Sequence, residues 1–139
     1  MKNLLEMSRP SKSDLPTIYC DMDQVLCNFL NGADKAVGGL FVHAQKYDAH
    51  ILSAYSSNDG NSRPGKMKWL AKNTSIKRGR IHLVKREQKQ QFAMDGDKPC
   101  VLIDDYIKNI KEWEAKGGIG VHHTNVNKSI NQLKSLGYR

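Results

Sequence analysis

The sequence predicts an α/β domain built on a largely parallel five-stranded sheet. Short β-rich runs alternate five times with segments of helical periodicity along the 139 residues. Such alternation is typical of parallel sheets that are covered by helices. Because a chain of this length normally forms one domain, we expect a single domain over residues 17–139, preceded by a flexible polar lead-in over residues 1–16.

Five strands are expected, and each is followed by apolar residues at helical spacing. The predicted strands are TIYC, HILSA, RIHLV, CVLI and IGVH. The helix after the first strand spans the apolar positions Val25 to Val37, and Pro64 lies in the first turn of the next helix. A short helix is expected around EQKQQFA. Gly117 and Gly137 are predicted to end the last two helices, since glycine readily adopts the left-handed conformation found there.

The composition favours a soluble cytoplasmic protein with an anionic partner. No run approaches the roughly 18 apolar residues that a membrane span needs, and the N-terminus lacks the apolar core of a signal peptide. Cys20, Cys27 and Cys100 have no metal-ligand spacing, and we expect buried thiols in a reducing compartment. The 22 basic and 14 acidic residues give a net charge of +8. A dense basic stretch over residues 77–89 favours nucleotides or nucleic acid, although a solvated surface would look the same.

Polar residues stand where three of the predicted strands end. Asp21 and Asp23 follow the first strand, Ser53 lies in the second, and Asp104 and Asp105 follow the fourth. In open parallel sheets, ligands bind beyond the carboxyl ends of the strands, near the point where the strand order reverses. We therefore expect these five residues to line one cleft.

Four carboxylates in one cleft repel one another unless a cation lies among them. Mg²⁺ prefers oxygen ligands and commonly takes one or two carboxylates together with a substrate phosphate. An aspartate can attack a phosphoryl group to form an acyl phosphate, and a second acid can move the proton to and from the oxygens. A hydroxyl and a lysine would bind the transferring oxygens. The cleft is therefore expected to carry out metal-dependent phosphoryl transfer.

The order of these motifs resembles a known superfamily. DMDQV, ILSA, a downstream lysine and VLIDD resemble the four motifs of the haloacid dehalogenase-like (HAD) phosphohydrolases. GKMKWLAKN and LIDDYIKNIKEWEAKGGIGV look like the 5'(3')-deoxyribonucleotidase branch, including its small phage-encoded members. The resemblance covers residues 18–121. It implies a Rossmann-like three-layer α/β/α HAD core whose first strand lies between the second and the fourth.

The resemblance implies roles for the four acids. Asp21 corresponds to the nucleophile, and Asp23 corresponds to the general acid/base that also gives a backbone carbonyl to Mg²⁺. Asp105 corresponds to the main acidic metal ligand, with Asp104 beside it. All four are therefore expected around the ion.

Two further residues are implied as phosphate ligands. Ser53 corresponds to the hydroxyl of the second motif. Lys89, in KQQFA, corresponds to the lysine of the third motif, and Lys85 is its rival.

The chain departs from the family pattern at two places. Gln24 stands where the family usually has glycine, which tolerates backbone conformations that cost other residues roughly 1 kcal/mol or more. Only 29 residues separate Asp23 from Ser53. The nucleotidase branch has a helical cap at this point, so GGLFVHAQKYDA can form only a minimal one.

The predicted function is a Mg²⁺-dependent phosphomonoesterase with an aspartyl-phosphate intermediate, acting on nucleoside monophosphates. Two alternatives stay open. A phosphatase acting on nucleic-acid ends, such as a 3'-phosphate, would suit the reduced cap and the charge. A catalytically weak HAD scaffold with a binding role would account for Gln24. A phosphoreceiver domain is disfavoured because its phosphoacceptor follows the third strand, where RIHLVKRE has no aspartate.

Overall fold

A computed structural model describes residues 15–22 and 43–139. The strands are β1 (Ile18–Cys20), β2 (His50–Ala54), β3 (Ile81–Val84), β4 (Met94–Asp95), β5 (Lys98–Pro99), β6 (Val101–Asp104) and β7 (Ile119–His122). Helix α1 (Ser62–Asn73) lies between β2 and β3, α2 (Ile107–Ala115) lies between β6 and β7, and α3 (Val126–Ser135) follows β7. Two 3₁₀ helices in the described residues span Arg78–Arg80 and Arg86–Phe92.

Five strands form one parallel sheet in the order β3-β2-β1-β6-β7. All five were predicted, and the α/β fold class is confirmed. The strand β1 is central, and its Cys20 is in register with Ile51 of β2 and Ile103 of β6. The strand order reverses at β1, because the chain runs from β1 toward β3 and then returns to β6. The carboxyl ends of β1, β2 and β6 are therefore neighbours.

Helices cover both faces of the sheet, which gives three layers. One face packs Ile18, Ile51 and Ile103 against Leu70 of α1 and Leu133 of α3. The other face is covered by α2 and by the segment that follows β3. Its buried residues are Leu52, Ala93, Cys100, Leu102, Ile110 and Trp113.

Trp113 explains why the chain has glycine at position 118, shortly after the end of α2. Its side chain is fully buried, and the indole N–H donates to the Cys100 carbonyl at 2.9 Å. A Cβ at Gly118 would lie 2.2 Å from the indole nitrogen, so only glycine fits there. The predicted helix ends at Gly117 and Gly137 are also observed, with φ of 96° and 107°.

The two-stranded hairpin of β4 and β5 was not predicted. Its turn contains Gly96 at φ 63°, a left-handed conformation that suits glycine. The signal was present as an Asp-Gly pair, a common hairpin turn, but the strands have only two residues each.

Several expectations lie outside the described residues. These are Asp23, Gln24, Cys27, the helix from Val25 to Val37, residues 38–42 of the cap segment and the lead-in up to residue 14. Leu15 packs against the core, and the Pro16 carbonyl accepts a hydrogen bond from the Tyr138 hydroxyl. Cys20 and Cys100 are buried free thiols, as expected. Among the described helices, none is long and apolar enough to cross a membrane.

Candidate active site

The carboxyl ends of β1, β2 and β6 bury polar side chains where the strand bodies bury apolar ones. Asp21 is 6% exposed, and Ser53 and Asp104 are 0% exposed. The Asp21 N–H donates to the Ile103 carbonyl at 3.0 Å, so the pairing of β1 with β6 continues into the site. The backbone of the sheet therefore fixes the position of Asp21 relative to Asp104.

Lys89 lies between two of the acids. Its Nζ donates to Asp21 Oδ1 at 3.0 Å and to Asp104 Oδ2 at 2.9 Å, and the residue is 3% exposed. Burial alone would lower the pKa of Lys89, but the charges of Asp21 and Asp104 and their hydrogen bonds raise it overall. Lys89 is therefore a buried ammonium that compensates two buried carboxylates.

The Asp104 carboxylate accepts hydrogen bonds on both oxygens. Oδ1 accepts from the Tyr106 N–H at 3.0 Å, and Oδ2 accepts from Asn109 Nδ2 at 3.0 Å as well as from Lys89. Arg86 Nη1 donates to Asn109 Oδ1 at 2.9 Å, and this contact orients the amide so that its NH₂ faces Asp104. The orientation of Asp104 is thus fixed by three donors.

Three acids in the described part of the chain could share a cation. Carboxylate oxygens of Asp21, Asp104 and Asp105 all lie within 4.8 Å of one another. Burial and then the charge of Asp104 raise the pKa of Asp105 above its ordinary value. A hard dication would relieve this repulsion, and carboxylate oxygens are the ligands that Mg²⁺ prefers. The donor set therefore fits Mg²⁺.

Ser53 contacts a lysine that sequence reasoning missed. Lys66, near the start of α1, donates from Nζ to Ser53 Oγ at 3.1 Å and to the Ala54 carbonyl at 2.6 Å. Since α1 and Lys89 lie on opposite faces of the sheet, two ammonium groups reach the same sheet edge from both sides. Lys66 was missed because it lies in GKMKWLAKN, where it looks like one of several solvated helix lysines.

Lys85, the rival to Lys89, is exposed, and its N–H donates to Gln88 Oε1 at 2.9 Å. Of these two lysines, only Lys89 is described in contact with the acids. Arg86 and Asn109 were also missed. Arg86 is held by Glu112 at 2.8 Å, and the side-chain contacts that connect it to the site span more than 20 positions, so no local pattern marks it.

No protein-family model and no curated protein matches the chain. The crystal structure of an uncharacterized protein from Corynebacterium glutamicum is similar in fold, with a TM-score of 0.58. The likeness covers 88% of this chain and 95% of that chain, at 22% sequence identity. A likeness at this level of identity bears on the fold alone, and it supports the three-layer α/β architecture.

Proposed function

We propose that the protein is a HAD-type phosphomonoesterase that transfers a phosphoryl group first to Asp21 and then to water. The observation that best supports this is the position of Asp21, which lies at the switch point of the sheet and is bound by a buried ammonium. A purely structural acid at a strand end would be expected at the surface, because burial of charge costs several kcal/mol unless it is compensated. The Lys89 ammonium compensates the charge of Asp21 and holds one of its carboxylate oxygens in place, as a nucleophile requires.

In the first step, an oxygen of Asp21 forms a bond to phosphorus while the bond from phosphorus to the ester oxygen breaks. The leaving oxygen takes a proton from Asp23, the role that the sequence resemblance implies. In the second step, the oxygen of water forms a bond to phosphorus while the bond from phosphorus to the Asp21 oxygen breaks, and water gives a proton to Asp23. This step regenerates the Asp21 carboxylate and the protonated Asp23 and releases inorganic phosphate.

Lys66 and Ser53 are the groups best suited to bind the phosphoryl oxygens. The Lys66 ammonium is already held over the end of β2 by its bonds to Ser53 and Ala54. Fixed donors at such a site stabilise charge that develops during transfer. Lys89 would have a different role, since it is bonded to the nucleophile itself.

Asp21, Asp104 and Asp105 would hold Mg²⁺, with a backbone carbonyl from Asp23 implied by the resemblance. The ion would neutralise the carboxylates and the negative charge of the phosphate. Asp104 would act mainly by orientation, because its oxygens already accept three hydrogen bonds.

The proposed substrates are nucleotide phosphates in the cytoplasm. The resemblance favours nucleoside monophosphates, whereas the net charge of +8 also favours the terminal phosphate of a nucleic acid. Both kinds of substrate would present a phosphate monoester to Asp21.

The test is Mg²⁺-dependent phosphate release from deoxynucleoside 5'- and 3'-monophosphates and from a 3'-phosphorylated oligonucleotide. Asp21→Asn should abolish release, while Asp97→Asn, an exposed acid in the β4–β5 turn, should leave it unchanged. Magnesium binding without phosphate release from any substrate would contradict the proposal and leave a binding scaffold.

A further inference from the structure

A groove of about 710 Å³ runs between α1 and the edge strand β3. Its floor is apolar and includes Met67, Ile81 and Leu83. Within the described ranges, no acidic side chain lines it. The basic residues that line it are Arg63, Lys68 and Arg78.

The arrangement on α1 suits an anionic chain with apolar substituents. Pro64, Met67 and Ala71 are three to four residues apart and share one side of the helix. Arg63 and Lys68 flank this apolar stripe on its two sides. A ligand lying along the stripe would thus meet a cation on either side.

These cations are available to a ligand. Arg63, Lys68 and Arg78 are all exposed, and none forms an ion pair with a carboxylate in the described part of the chain. Arg80, by contrast, is paired with Asp48 at 3.3 Å. Exposed cations grouped around one groove raise the local concentration of anions.

The groove begins beside the candidate active site. Lys66, which bonds to Ser53, is on the same helix and close to Arg63. Leu83 of the groove floor is in register with Ser53. The Arg63 guanidinium lies over the Tyr55 ring, 5.7 Å from its centre, so Tyr55 stands beside this end of the groove.

We propose that this groove binds single-stranded nucleic acid, so that the substrate is the phosphate at the end of a strand. The inference rests on the function proposed for the site. Backbone phosphates would contact the three cations, while unstacked bases would contact the apolar floor and Tyr55, as is general for proteins that bind single strands. A duplex keeps its bases stacked and would leave the floor uncovered. The helix is about 18 Å long, enough for a segment of several nucleotides.

The test is the binding of a fluorescently labelled, 3'-phosphorylated oligothymidylate by anisotropy, with a chelator present to prevent hydrolysis. The groove variant is Arg63→Ala/Lys68→Ala/Arg78→Ala. The control variant is Lys98→Ala/Lys111→Ala/Lys116→Ala, which removes the same charge from exposed positions elsewhere. The groove variant should bind at least about tenfold more weakly, and the slope of log K against log salt should fall by about 2, since each lost phosphate contact removes about 0.7. The control should bind within about threefold of the wild type.

Three results would overturn the proposal. Equal losses in the two variants would show only a general charge effect. Competition by polyglutamate as effective as that by unlabelled oligothymidylate would indicate an acidic peptide as the occupant. A dimer in sedimentation that the groove variant dissociates would indicate a second copy of the chain.

Hydrolysis of p-nitrophenyl phosphate separates this proposal from the one on which it rests. The groove variant should retain this activity, because the small ester does not reach the groove. Oligothymidylate binding that depends on the groove, in a protein that hydrolyses no ester, would contradict the proposed function and leave the groove assignment standing. Ester hydrolysis without groove-dependent binding of oligothymidylate would contradict the groove assignment and leave the proposed function standing.

Discussion

The bodies of the central strands and their carboxyl ends are equally buried but chemically opposite. Ile18, Ile51 and Leu102 are at most 1% exposed, and Ser53 and Asp104, at the ends, are 0% exposed. Burial of apolar side chains stabilises the fold, at about 1.5–3 kcal/mol for each large residue. Burial of charge destabilises it unless the charge is paired. Lys89 pairs with Asp21 and Asp104, but such buried pairs commonly stabilise a fold no better than apolar side chains of similar volume. Stability alone therefore does not explain the charges at this edge of the sheet, and the proposed phosphoryl transfer would.

The largest effect is expected for Lys89→Met. It removes the cation between two buried carboxylates, which should lower the free energy of unfolding by about 3–5 kcal/mol. Phosphate release should fall by at least about 100-fold, because the nucleophile loses its partner. Chemical denaturation and initial rates measure the two effects.

The matched control is Lys85→Met, four residues earlier and exposed. It should change stability by less than about 0.5 kcal/mol. Unchanged activity in Lys89→Met would show that Lys89 has no role in the candidate active site. It would also contradict the contrast drawn between the strand bodies and the strand ends.

A residue that packs on the strand bodies, away from the strand ends, should affect stability alone. Trp113→Ala empties a fully buried position on the face covered by α2 and should cost about 3–5 kcal/mol. The kcat of the folded fraction should stay within a few-fold of the wild type, since Trp113 contacts Cys100 and Tyr19 and forms no hydrogen bond with the described acids of the candidate site. The comparison is made below the denaturation midpoint of the variant. A loss of kcat as large as that of Lys89→Met would show that packing on the strand bodies and chemistry at the strand ends have no separate effects on activity.

A smaller, pH-dependent effect is expected from two histidines in the strand bodies. His50 Nδ1 and His82 Nε2 are 2.9 Å apart, and the rings stack at 5.2 Å. Burial lowers the pKa of both below the ordinary 6.5, and the neighbouring His82 and Arg80 lower that of His50 further. The unfolded chain therefore takes up protons first as the pH falls. The neutral His50–His82 pair therefore makes its full contribution to stability above pH 6.5, and this contribution decreases as the pH falls below that value.

Replacement of one ring should flatten this dependence. In His82→Phe, the denaturation midpoint should change less between pH 7.5 and pH 5.5 than in the wild type. The two pH values bracket the ordinary histidine pKa of about 6.5. An equal change in both proteins would show that the pair does not titrate as described.

The strands and the helix ends could be predicted because their causes are local. Short apolar runs mark β2 and β6, and glycine marks the ends of α2 and α3, where φ is positive. The hairpin was missed because two-residue strands carry little pattern.

The contacts in the site could be predicted only in part. The rule that strand ends converge was enough to group Asp21 with Asp104 and Asp105, whose carboxylates lie together in the structure. The contacts of Arg86 depend on packing between elements distant in sequence, whereas Lys66 and Asn109 look like ordinary polar positions of a helix. A single sequence therefore does not reveal these contacts. The roles of all these residues stay predictions.

The proposed mechanism requires that Asp21 becomes phosphorylated during turnover. The most direct measurement is mass spectrometry of peptides after rapid acid quench of the protein reacting with its substrate and Mg²⁺. We expect one phosphoryl group on the peptide that contains Asp21, and none on that peptide in Asp21→Asn. Substrate turnover with no phosphorylated peptide, or with full activity in Asp21→Asn, would contradict it.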